Sequence, residues 1–191
     1  MTAPRIILVS VLVCFASLAP ALAGAMAASK TGSGSQCYEI LAPFKAGLSG
    51  VEKSLVAAPL PYLRSLSVEY NALMTAARAS QDCYRAMLEK ARPAVQASRG
   101  KMNSPRILKL RRGIRDSGRI FSQGHAQFRQ ALEKYSPAIL AAIEPAAGGV
   151  AGASDAEGGA SVVQAAQELL KNSEAIATRQ SALAGIATSS H

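Results

Sequence analysis

The sequence predicts an all-α protein, an elongated up-and-down helical bundle of about four helices behind a cleaved signal peptide. Three observations carry that expectation. Apolar residues recur at heptad spacing through most of the chain, clusters of Pro and Gly cut the pattern into rods, and an export-type leader precedes it. At 191 residues the chain has room for one domain of ordinary size, and 49% hydrophobic content is too high for a wholly disordered chain. Only 5% of residues are aromatic, and Trp is absent, which argues against a typical carbohydrate-binding groove.

Residues 1–23 place Arg5 ahead of an uncharged apolar run from Ile6 to Leu18 and end in Ala21-Leu22-Ala23. That order is a secretory leader, with cleavage expected before Gly24. The run is shorter than the ~20 apolar residues a spanning helix needs, so the mature chain is expected in a periplasm or outside the cell. Cys14 leaves with the leader, and Cys37 and Cys83 remain. Residues 24–36 are small, polar and Gly/Ser-rich, a flexible lead-in.

Residues 37–144 read as the bundle. Cys37, Leu41, Phe44, Leu48, Val51 and Leu55 fall on one helical stripe, interrupted at Pro43 and stopped by Pro59 and Pro61. From Tyr62 to about Ser98, Leu63, Tyr70, Ala77, Tyr84 and Ala91 repeat every seven residues, with Leu66, Leu73, Ser80, Met87 and Ala94 three positions on. Such a rod is ~55 Å long. Pro93 is expected to weaken its last turns. Ser104-Pro105 then opens a third helix carrying Ile107, Ile114, Phe121, Phe128 and Tyr135, with Leu110 and Leu132 in support. Ser136-Pro137 predicts a kink into a short helix ending near Glu144, and residues 145–160 read as a Gly/Ala-rich linker. Residues 161–187 form a last amphipathic helix through Val162, Leu169, Ile176 and Leu183, packing on the bundle.

The spacing also predicts a disulfide. If the first two helices fold back at the proline turn, Cys37 lies 23 residues before Leu60 and Cys83 lies 23 after it. Equal rise puts both thiols at one level of an antiparallel hairpin, and an oxidising compartment joins them.

Charge is unevenly distributed. The net charge is +9, yet residues 85–134 hold 13 Lys and Arg against three acids, while residues 135–191 are net negative. On the third helix Lys109, Arg111, Arg112, Arg115 and Arg119 gather opposite Ile107, Leu110, Ile114 and Phe121. A cationic face of this kind binds phosphate or carboxylate polymers by counterion release, or rests on an anionic lipid surface. Its bland alternative is a solvated face that keeps the bundle soluble. Nucleic acid is disfavoured by export and by the lack of aromatic residues interleaved with the arginines.

Catalytic signatures are scarce. His125 is the only histidine before the terminal His191 and lies at the edge of the apolar stripe, where a structural or interfacial role is expected. Two pairing cysteines and one internal histidine cannot furnish a four-ligand metal site, and no cofactor motif is present. Gly148-Gly149 and Gly158-Gly159 lack the strand and Gly-Lys-Ser/Thr ending of a phosphate loop. Glu69, Asp82 and Glu89 read as helix solubilisers near Arg78 and Arg85.

The expected function is therefore that of an exported, non-enzymatic interaction protein. It would engage a protein partner, or an anionic envelope polymer or lipid surface, through Lys109, Arg111, Arg112, Arg115 and Arg119. Two other classes stay open: a structural or accessory subunit of a secretion or pilus apparatus, and a bundle-fold hydrolase using His125 or two facing carboxylates. Heptad seams also permit a homo-oligomer.

Overall fold

In a computed structural model, residues 35–49, 58–97, 105–143 and 153–188 are described. The expected leader 1–23, most of the lead-in, Val51, Leu55, and residues 145–152 of the expected linker lie outside them. The elements are α1 (Ser35–Glu39), a 3-10 turn (Ala42–Phe44), α2 (Pro59–Ala97), α3 (Pro105–Ile143) and α4 (Ala153–Thr188), and no strand occurs among the described residues. None of these helices is long and apolar enough to cross a membrane.

The three long helices alternate in direction. Tyr62 meets Tyr135, Tyr70 stacks on Phe128, and Tyr84 reaches Ser117, so α3 descends as α2 rises. His125 meets Ser173 and Ile114 meets Gln180, which makes α4 antiparallel to α3, while Gln81 meets both Ile176 and Gln180 in parallel register. The result is an up-and-down bundle of three rods, with α1 and the 3-10 turn laid against α2 and α3.

The heptad seams become its core. Leu63, Leu66, Tyr70, Leu73, Ala77 and Tyr84 are buried on α2, and Ile107, Leu110, Ile114, Phe121, Phe128 and Leu132 on α3. Each fully buried aliphatic or aromatic side chain contributes ~1.5–3 kcal/mol. The Tyr70 and Phe128 rings stack with centroids 4.1 Å apart, and Tyr62 meets Tyr135 edge-on at 4.9 Å. On α4 the buried stripe is Val163, Ala166, Ser173, Ile176, Leu183 and Ala187, so Val162 and Leu169 sit at its margin rather than its centre.

Four sequence expectations need correction. The first rod is not a helix running on from Cys37. Pro43 has no N–H to continue the α pattern, and the chain turns through i→i−3 bonds from Phe44 to Leu41 and Lys45 to Ala42. Gly47 then takes φ +89°, a left-handed conformation, with the Gln127 amide where a Cβ would stand. Second, Pro59 and Pro61 open a helix, since the first turn has no use for their missing donors, and the stretch 50–57 before them lies outside the described residues. Third, α3 passes through Pro137 unbroken to Ile143, because Pro137 is on the exposed side and buried Ile139 follows it. Fourth, α4 begins at Ala153, so residues 153–160 belong to a helix and not to a linker.

The Cys37–Cys83 disulfide is formed, with Cα atoms 5.5 Å apart. Its setting differs from the expected hairpin of two rods. A five-residue α1 carries Cys37 to α2, where the Ser80 hydroxyl donates to the Cys37 carbonyl at 2.7 Å. The segment is also held further on, by Leu48 N–H donating to Gln127 Oε1 and by Ser49 N–H and Oγ donating to Glu69 Oε1.

Closing a loop of 46 residues stabilises the fold by about 4 kcal/mol on chain-entropy grounds. Replacing Cys37 and Cys83 together by Ala should leave helical circular dichroism near native and lower the unfolding free energy by an amount of that order. A second prediction concerns Gly124, buried in α3 with a Leu73 methyl lying where its Cβ would be. Gly124→Val should destabilise by about 1–3 kcal/mol, because overpacking against fully buried Leu73 outweighs the few tenths gained in helix propensity. Urea unfolding measures both.

Candidate anionic-partner interface

Two buried polar braces set the register on which any surface site depends. In the first, Gln81 Nε2 donates to the Ile176 carbonyl at 3.0 Å and to Gln180 Oε1 at 3.1 Å, and Gln180 Nε2 donates to the Ile114 carbonyl at 2.7 Å. One amide from α2 and one from α4 thus join all three helices. The second centres on His125. Its Nδ1 lies 2.9 Å from the Tyr70 hydroxyl of α2 and 3.1 Å from Ser173 Oγ of α4, and Ser173 also donates to its own helix at Leu170.

This register brings basic segments together. α2 and α3 are antiparallel, so the end of α2 lies beside the start of α3, and parallel α4 finishes at the same end. The stretches 78–97, 105–119 and 176–188 carry eleven Lys and Arg against Asp82, Glu89 and Asp116. The remaining described residues hold five bases against seven acids. The bundle is therefore strongly positive at one end and slightly negative at the other.

Of the residues expected to form the cationic face, Lys109, Arg112, Arg115 and Arg119 are exposed. Arg111 departs from them: it is half-buried, and its Nε is covered without a hydrogen-bond partner. Sequence reading left out one exposed neighbour on this side, Leu108, and Arg106, which is exposed at the helix start but on the opposite side. Leu108 is 48% exposed and lies one turn before Arg112. Its position opposite buried Ile107 and Leu110 was the available signal.

None of Arg106, Lys109, Arg112, Arg115 and Arg119 forms an ion pair with a described residue. Three cations elsewhere are paired, whereas Lys45, Arg64, Arg78, Lys90, Arg92, Lys134 and Lys171 form no ion pair, like them, among the described residues. Arg85 pairs with Glu89, Arg129 with Glu133, and Arg179 with Asp82. A groove of about 230 Å³ between α2 and α4 is lined by Gln81, Arg85, Arg179, Ala182, Leu183 and Ile186, but both of its cations are already paired.

The α3 arrangement costs stability. Arg115 and Arg119 are like charges one turn apart, as are Arg111 and Arg115, each pair worth about 0.2–0.5 kcal/mol of repulsion. The first turn of α3 carries no acid, and Arg106 and Lys109 stand at the positive end of the helix dipole.

His125 is not placed for surface chemistry. It is half-buried against Phe121 and Tyr70, and burial lowers its pKa, with nearby Arg129 adding to the effect and Glu174 opposing it. Burial likewise raises the Tyr70 pKa, offset in part by its bond to Ser173. Among the described residues no three His, Cys, Asp or Glu side chains are grouped to hold a metal ion. No protein family, curated protein or solved structure matches the chain.

The lowered pKa fixes the sign of a pH effect. The unfolded chain takes up the imidazole proton near 6.5, the folded chain only at lower pH. The brace is thus fully stabilising above pH ~6.5 and weakens as pH falls through the folded value. Urea midpoints measured from pH 7 to pH 5 should fall in the wild type, and His125→Asn should flatten that decline.

Proposed function

We propose that this chain is an exported, non-enzymatic helical-bundle interaction protein that holds an anionic partner on the outer face of α3. Lys109, Arg112, Arg115 and Arg119 make the contact, and Arg111 adds charge from the margin of the core. The observation that carries this reading is the run of exposed cations Lys109, Arg112, Arg115 and Arg119 within about three turns of one helix, none of them ion-paired with a described residue.

Export is supported by the leader-like order of residues 1–23 and by the Cys37–Cys83 disulfide, a bond that persists in oxidising compartments. A non-enzymatic role is supported by the use of His125 as a brace between Tyr70 and Ser173. An extended partner suits the site better than a small molecule, because the outer side of a helix is convex and offers no pocket.

The test is retention on an immobilised phosphate polymer across a salt series. Replacing Arg112, Arg115 and Arg119 by Glu should abolish retention near physiological salt, and replacing them by Gln should lower the log–log salt slope by about 2. Far-ultraviolet circular dichroism should be unchanged in both. Wild-type retention in the Glu variant would overturn the assignment to this face.

A further inference from the structure

Resting on the anion-binding reading, we propose that the partner is an anionic phospholipid surface, on which α3 lies with Leu108 dipping between headgroups and Arg112, Arg115 and Arg119 set on phosphates. The four side chains follow one line along the helix. At 100° per residue they fall within a sector of about 60°, and the line continues through Ser122 and Ala126, both exposed and uncharged. The first acid on it is Glu133, about four turns beyond Arg119 and already paired with Arg129.

A stripe this straight and narrow suits a flat surface. It stands outside the bundle, so no part of the fold comes between it and a plane. Charge on α2 adds to the attraction, because Arg78, Arg85, Lys90 and Arg92 outnumber Asp82 and Glu89 at the same level.

Leu108 selects lipid over a soluble polyanion. A phosphate polymer gives a half-exposed leucine nothing to bury against, whereas the headgroup region accepts an apolar side chain amid basic ones. Single-stranded nucleic acid would call for aromatic platforms beside the arginines, and the aromatic side chains of α2 and α3 are engaged in the core instead: Tyr62, Tyr70, Tyr84, Phe121 and Phe128 are buried and Tyr135 is half-buried. A basic side chain near an anionic surface contributes about a fivefold gain in partitioning, so three of them give roughly a hundredfold preference over a neutral surface, and Leu108 adds partitioning to either.

The test is sedimentation with large unilamellar vesicles in 0.1 M salt. It uses the chain from Gly24 onward, which retains the whole compact unit Gly32–His191. Vesicles of 30% phosphatidylglycerol in phosphatidylcholine should carry the protein down and pure phosphatidylcholine should not. Replacing Arg112, Arg115 and Arg119 by Glu should lower partitioning at least 100-fold, and Leu108→Ser about fivefold, with circular dichroism showing both variants folded.

Binding to phosphate polymer or duplex DNA without binding to phosphatidylglycerol vesicles would overturn the lipid assignment and leave the anion-binding face standing. Failure to bind any of the three would overturn both. Vesicle binding that survives the triple Glu variant would overturn the face, and a Leu108→Ser variant that partitions like wild type would overturn the choice of lipid over phosphate polymer.

Discussion

Three amphipathic rods with heptad seams can slide past one another by a whole repeat and still bury oil against oil. The buried amides and the imidazole forbid it. A one-repeat shift would strand Gln81, Gln180, His125 and Ser173 opposite apolar neighbours, and each orphaned polar group costs about 1–3 kcal/mol. Gln81 Oε1 is already buried without a partner, so one half of that amide gives up its own hydrogen bond while the other half fixes the register. Everything at the surface inherits this choice. In the native register the basic segments of α2 and α3 coincide at one end; slipped by a heptad, they would spread along the rods.

The electrostatics and the packing work against each other at that end. The smaller of two core clusters, built on Cys37, Tyr84, Leu110, Ile114, Leu183 and Ala187, lies beneath the densest positive charge. Repulsion and an unfavourable dipole are concentrated where the core is thinner, and the disulfide enters this same cluster through Cys37. That distribution makes the positive end costly to keep, and an anionic surface lying against it relieves the cost.

The long seams were legible because their period is strong: Leu63, Tyr70, Ala77 and Tyr84 on α2 and Ile107, Ile114, Phe121 and Phe128 on α3 are spaced by seven and are buried as that spacing implies. Proline was harder to read. Its effect depends on whether the missing N–H falls in a first turn, as at Pro59, or on an exposed side, as at Pro137, and one-dimensional spacing does not say which. The disulfide was foreseen on the assumption of two equal rods. It forms because α1, though only five residues long, is anchored by Ser80 at the right level of α2. The structural role of His125 was legible from its place at the edge of the apolar stripe, but its partners and the Gln81–Gln180 brace were not, since a seam Gln or Ser looks in sequence like any surface residue. Of the cationic face, Lys109, Arg112, Arg115 and Arg119 were visible by helical periodicity. The gathering of charge at one end was not, because it depends on the pairing of helices far apart in the chain.

The staple between Cys37 and Cys83 also decides how the protein carries a mechanical load. A pull applied through the residues preceding Cys37 passes across the sulfurs into the middle of α2 and does not travel through the turn at Pro43, the loop at Gly47 or the start of α2. The 46 residues of sequence separation, about 160 Å of chain if drawn straight, are thereby hidden from tension. Under such a tether the segment from Tyr38 to Asp82 stays slack, and the force falls directly on the half of the bundle that carries the arginines.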